Sequence, residues 1–224
     1  LEPRVQGLQP AAASRRFPSY LAPAMTQLPE LPLTLSRQEI RKMIRQRRRA
    51  LTPEQQQEMG QQAATRMMTY PPVVMAHTVA VFLSFDGELD TQPLIEQLWR
   101  AGKRVYLPVL HPFSAGNLLF LNYHPQSELV MNRLKIHEPK LDVRDVLPLS
   151  RLDVLITPLV AFDEYGQRLG MGGGFYDRTL QNWQRYQMQP VGYAHDCQLV
   201  EKLPVEEWDI PLPAVVTPSK VWEW

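Results

Sequence analysis

Residues 78–109 read TVAVFLSFDGELDTQPLIEQLWRAGKRVYLPV, and this stretch decides the fold. Residues 78–84 (TVAVFLS) form a short apolar run rich in β-branched and aromatic side chains, the pattern of a buried strand. Thr91, Gln92 and Pro93 open a helix with proline in its first turn, and Gly102 supplies the residue that closes it. A second strand follows at 104–109.

The same alternation extends outward in both directions. Upstream, Ser36 with Glu39 makes a capping box for a helix running to about Ala50, and Thr52-Pro53-Glu54-Gln55 opens another. Downstream, 118–123 and 153–158 read as strands, a helix-like spacing covers 175–188, and 191–194 and 214–217 read as two short final strands. Strands alternating with helices predict a three-layer, Rossmann-like α/β fold, its central sheet mostly parallel and flanked by helices. Ligands in such sheets bind beyond the carboxyl ends of strands. The 84–88 turn and the glycine-rich segment after 168 both follow strands, so both are expected on that edge.

At 224 residues, 44% apolar and 21% charged, the chain suits one soluble α/β domain. Its net charge of +1 argues against a polyanionic partner for the molecule as a whole. Cys197 is the single cysteine, so no internal disulfide can form, which favours a reducing cytoplasm. No apolar run is long enough to span a bilayer. Residues 1–24 differ in character: Pro3, Pro10, Pro18 and Pro23, an alanine run, and Glu2 as the one acid. We expect a disordered leader there, either added artificially or read from upstream sequence, and a single domain over 25–224, beginning at Met25.

Four of the eleven glycines, Gly170, Gly172, Gly173 and Gly174, fall within five positions, between Arg168 and Asp177-Arg178. Glycines leave backbone N–H groups unshielded and permit positive φ, so consecutive amides can converge on one anion. The spacing is neither a P-loop nor a dinucleotide fingerprint, so a phosphate cradle and a tight structural turn both remain open. Arg37, Arg41, Arg45 and Arg48 or Arg49 recur at helical spacing, which suits phosphate oxygens or simply a solvated helix face. In Ser84-Phe85-Asp86-Gly87-Glu88, Glu88 can accept from the amino groups of a heterocycle, and Phe82 or Phe85 can stack on its rings; Asp90 and Thr91 read as caps. The five histidines show no metal-ligand spacing.

These residues resemble the 5-formyltetrahydrofolate cyclo-ligase family from about Ser36 to the C-terminus. The family pattern Pro-x-x-x-Phe-Asp-x-x-Gly-x-Arg-Leu-Gly-x-Gly-x-Gly-Tyr-Tyr-Asp-Arg is present at 158–178. Arg37-x-x-x-Arg41, Phe82-Leu83-Ser84 with Glu88, the KRVYLP run at 103–108, Glu138-Pro139, Leu203-Pro204 and Asp209 also match. Two positions depart from the pattern: Met171 stands for the usual arginine and Phe175 for tyrosine.

The resemblance implies an ATP- and magnesium-dependent closure of 5-formyltetrahydrofolate to 5,10-methenyltetrahydrofolate, releasing ADP and phosphate through a phosphorylated formyl (iminium phosphate) intermediate. It implies Arg168 and Arg41 as catalytic residues. Arg37, Arg41, Arg168, Gly170, Gly172, Gly173, Gly174 and Tyr176 would hold ATP; Leu83, Glu88 and Phe175 the folate; Asp177 and Asp209 the magnesium. A monomeric cytoplasmic enzyme is expected, acting on a small molecule and binding neither nucleic acid nor membrane. The competing reading is a nucleotide- or nucleic-acid-binding regulator on a similar scaffold, and a sugar-phosphate isomerase is a third. Glu88 argues against the regulator, because a phosphate-only binder has no use for that acid.

Overall fold

The computed structural model describes residues 35–224, so the leader expected at 1–24 and the start expected at Met25 lie outside the described residues. Among the described residues the α-helices are α1 (Arg37–Arg49), α2 (Pro53–Thr69), α3 (Pro71–Met75), α4 (Gln92–Arg100) and α5 (Phe175–Leu180). Eight strands make one sheet: β1 (Thr78–Ala80), β2 (Arg104–Leu110), β3 (Leu118–Tyr123), β6 (Val146–Leu147), β7 (Val154–Thr157), β10 (Gln189–Tyr193), β11 (Ala214–Val216) and β12 (Val221–Glu223). Two small hairpins stand apart, β4 (Leu129–Met131) with β5 (His137–Pro139), and β8 (Ala161–Phe162) with β9 (Arg168–Leu169).

The sheet order is β12-β11-β10-β7-β1-β2-β3-β6. Its centre, from β11 to β2, is parallel, while β3, β6 and β12 pair antiparallel at the edges. Alternate side chains along each strand feed opposite faces. Val79, Val105, Val154, Ile156 and Val216 pack with Met67, Leu94, Ile95 and Leu98 of α2 and α4. Ala80, Tyr106, Leu155 and Val215 pack on the other side with Phe162, Leu180 and Trp222.

A third cluster positions the site. Ile40 and Ile44, one turn apart on α1, bury themselves against Val160, Ala161 and Leu169 of the β8–β9 hairpin and against Val200 and Leu203. The capping boxes at Ser36/Glu39 and Thr52/Gln55 are both formed, which fixes the starts of α1 and α2.

Several elements differ from the sequence reading. The strand expected over 78–84 is paired only to Ala80, with Val81 N–H adding one further bond to Tyr106, and the chain then turns away beyond the sheet's carboxyl edge. The helix expected over 175–188 ends at Leu180 because Asn182 takes a left-handed φ of 58°, a conformation asparagine tolerates. The antiparallel edge strand β12 and both hairpins were not anticipated; β8 and β9 have two residues each, too few to show a period.

Candidate active site

A cavity of about 510 Å³ opens beyond the carboxyl edge of the sheet. Arg37, Arg41, Leu83, Glu88, Arg168, Gly170, Gly172, Gly173, Gly174, Phe175, Tyr176 and Asp177 all line it. Of the candidate residues only Asp209 stands behind the wall, paired to one that lines it.

The glycine segment leaves β9 and enters α5. Gly172 has φ 106° and Gly174, the cap of α5, has φ 71°, so both need glycine. Three cations brace this loop. Arg41 donates from Nε to the Gly170 carbonyl at 2.7 Å. Arg178 donates to the carbonyls of Gly173 and Gly116 at 2.8 and 3.0 Å, which ties it to the loop backbone. Arg168 is buried, donates from Nε to the Pro158 carbonyl at 2.9 Å, lies 3.7 Å from Asp177 and stacks 5.6 Å from the Tyr176 ring centre. Burial, followed by repulsion from Arg37, pulls the Arg41 pKa down, with Asp209 opposing. A bound anion would relieve both effects.

Arg37 forms a two-pronged pair with Asp209 at 2.8 and 2.9 Å, and Asp209 also accepts from the Glu206 N–H at 2.8 Å. Both Asp209 oxygens are therefore engaged by protein donors. Asp177 pairs with Arg168 and accepts weakly, at 3.5 Å, from the Ile210 N–H. No group of three or more potential metal ligands occurs among the described residues. A magnesium ion commonly takes one or two protein carboxylates and fills its remaining positions with phosphate and water, and Asp177 on the cavity wall fits that pattern.

Phe85 N–H donates to Glu88 Oε1 at 2.9 Å, so Glu88 closes its own turn, a structural duty not evident in the sequence. Its Oε2 has no hydrogen-bond partner among the described residues. Burial pushes the Glu88 carboxyl up to about 7, against the pull of the Arg48 guanidinium and the Phe85 amide. Thr91 anchors the segment that follows β1 by donating to the Phe82 carbonyl at 2.6 Å. Leu83 and the 43%-exposed Phe85 flank Glu88 on the cavity wall.

Sequence reasoning missed two contributors. The β4–β5 hairpin supplies Asn132, Leu134, Ile136 and Glu138. Glu138 Oε2 accepts from the Leu110 N–H at 3.1 Å and from Asn132 Nδ2 at 3.0 Å, pinning the hairpin to β2. The Glu138-Pro139 match was its one signal. Trp208, 63% exposed, stands at the rim in the turn that Asp209 and Arg37 hold.

Comparison with known proteins agrees over most of the chain. A family model described as the 5-formyltetrahydrofolate cyclo-ligase family matches residues 34–218. The chain is 98% identical over 182 residues to a 5-formyltetrahydrofolate cyclo-ligase of Escherichia coli K12, covering 81% of this chain and all of that one. It is 53% identical to the Haemophilus influenzae protein of that name, over 80% of this chain and 96% of that one. A solved 5,10-methenyltetrahydrofolate synthetase from Aquifex aeolicus superimposes with TM-score 0.72 at 28% identity, covering 84% of this chain and 93% of the other.

Proposed function

The chain belongs to the 5-formyltetrahydrofolate cyclo-ligase family, and from that premise we propose that it closes 5-formyltetrahydrofolate to 5,10-methenyltetrahydrofolate with ATP and magnesium. The observation that carries this reading is one cavity whose lining brings Glu88 and Leu83 together with the glycine loop, Arg41 and Arg168. A heterocycle with paired donors and a polyphosphate are served by the same enclosure.

ATP, when bound, supplies the phosphoryl group that converts the formyl oxygen into a leaving group. The chain's own residues have little covalent work to do, since phosphoryl transfer depends on alignment and charge stabilisation. Glu88 accepts from the pterin's amide and amino donors, and Leu83 and Phe175 line its faces. The amides of 170–174 hold phosphate oxygens.

Arg168, fixed beforehand by the Pro158 carbonyl and the Tyr176 ring, offers a cation that needs little reorganisation, and Arg41 offers a second. Asp177 would hold the magnesium. We assign Asp209 chiefly the task of fixing Arg37, because that arginine already engages both its oxygens. Incubating the protein with 5-formyltetrahydrofolate and MgATP, and following the ultraviolet absorbance of the methenyl product, tests the reading. Product is expected only with ATP present; absence of product with both substrates would overturn it.

A further inference from the structure

The 84–88 turn is held by far more charge than a turn requires. Asp86 and Gly87 have φ values of 50° and 76°, two successive left-handed residues, of which the first is not glycine. Three guanidinium groups from the last turns of α1 converge on the Asp86 carboxylate. Arg45 Nε lies 3.1 Å from Oδ2, Arg49 reaches Oδ1 at 2.9 Å, and Arg48 stands 3.9 Å from Oδ2. Arg45 and Arg49 are substantially exposed, and such pairs are individually weak.

Arg48 is different: its side chain is 6% exposed and its Nε is buried with no hydrogen-bond partner among the described residues. The turn also packs directly on the helix. A Cβ built on Gly87 would come within 3.3 Å of the Arg48 Cβ, and Gln56 donates to the Gly87 carbonyl at 3.2 Å.

We propose that Asp86 is a positioning residue for folate recognition, which with Arg48 fixes the 84–88 turn and so the orientation of Glu88. This rests on the reading of Glu88 as the acid that holds the pterin. Glu88 is faced by Arg48 from α1, by Asp86 on its own turn and by Tyr176 on α5. Behind Arg48, Arg45 and Arg49 come from α1, and His195 and Cys197 from the segment after β10.

Burial holds His195 down to about 4 and Cys197 up to about 11, so both are uncharged at neutral pH. Among the described residues Arg48 is thereby the one side-chain cation that favours the Glu88 carboxylate, working with the Phe85 amide against burial and Asp86. The same helix carries Arg37 and Arg41, which line the cavity, at its other end.

Steady-state kinetics of wild type, Asp86→Asn and Arg48→Met between about pH 6 and pH 9 test the proposal. Asparagine accepts left-handed φ as readily as aspartate, so Asp86→Asn removes charge and little else. It is expected to raise KM for 5-formyltetrahydrofolate about fivefold near pH 8, the upper end for a lost partly exposed ion pair and fitting for a carboxylate that holds several guanidiniums, with kcat and KM for MgATP changed by less than about twofold. The acid limb of kcat/KM for the folate should move to lower pH in Asp86→Asn and to higher pH in Arg48→Met.

Should Arg48→Met fail to fold, the exposed Arg49→Gln should still raise the folate KM selectively. Equal rises in both KM values, or an acid limb unmoved in Asp86→Asn, would overturn the proposal. A wild type that makes no methenyl product, or a Glu88→Gln variant with unaltered folate KM, would instead condemn the reading of Glu88 beneath it.

Discussion

Glu88 is the residue whose chemistry is most open to test. Its carboxyl titrates near 7 in the folded protein, above its ordinary 4.5. Only the ionised form accepts from two pterin donors, so folate kcat/KM should fall as pH drops below about 7, and Glu88→Gln should abolish that limb while raising folate KM much more than ATP KM. The stability effect has the opposite sense. A raised pKa means that the folded state prefers the protonated acid, so this contribution is fully present below 4.5 and lost as pH rises through about 7. Glu88→Gln should therefore raise the Tm relative to wild type near pH 8 and leave it little changed near pH 4.5, as differential scanning calorimetry can show.

Arg168 is a different case, since it is buried and braced. Truncating it to alanine would strand the Pro158 carbonyl and the Asp177 carboxylate, mixing stability with catalysis. Arg168→Lys keeps the charge but loses the planar fork, and is expected to slow turnover by about 2–4 kcal/mol in transition-state terms while the far-ultraviolet spectrum holds. Near-wild-type kcat/KM in a folded Arg168→Lys variant would remove the residue from the phosphate site.

At the scale of elements, α1 is a crossbeam without a place in the sheet. Its apolar side grips the β8–β9 hairpin through Ile40 and Ile44, and its arginines divide between the glycine loop, Asp209, Asp86 and the Cys197 carbonyl. The Arg37–Asp209 pair joins it to the turn at 206–209. A double-mutant cycle with Arg37→Gln and Asp209→Asn should return about 1–2 kcal/mol of coupling in unfolding free energy, because the pair is two-pronged and Asp209 is nearly buried. Additive effects would mean that the contact does no stabilising work.

The β4–β5 hairpin is the complementary wall, pinned to β2 through Glu138. Glu138→Ala frees the Leu110 amide and Asn132 together, and should raise folate KM several-fold with less effect on ATP. A larger change in ATP KM would place the hairpin beside the nucleotide instead.

Across the whole molecule, what was legible in the sequence follows from the range of the forces involved. The capping boxes, the glycine break after α4 and the alternating strand runs are local, and the helix starts and the places of the central strands follow them, although β1 pairs over fewer residues than its apolar run. The ring of cavity residues was legible through a resemblance spread over 158–178 and the flanking matches, not through periodicity. What escaped was long-range. The pairing of Glu138 with Leu110 and the convergence of Arg45, Arg48 and Arg49 on Asp86 join segments that lie far apart along the chain, and no local period marks them. The two-residue strands β8 and β9 are covered by Ile40 and Ile44 of α1, a contact no local pattern marks.

The same long-range assembly leaves Trp208 at the cavity mouth, on a turn that Arg37 keeps from swinging away. Of the chain's other tryptophans none lines the cavity. The protein thus carries its own optical gauge of occupancy. A neutral collisional quencher such as acrylamide should reach the Trp208 indole in the free protein and lose that access when ligand fills the mouth, and Trp208→Phe should erase the ligand-dependent part of the quenching. Titrating MgATP and the folate separately would then show, by emitted light and before any turnover, which of the two comes to rest against that ring.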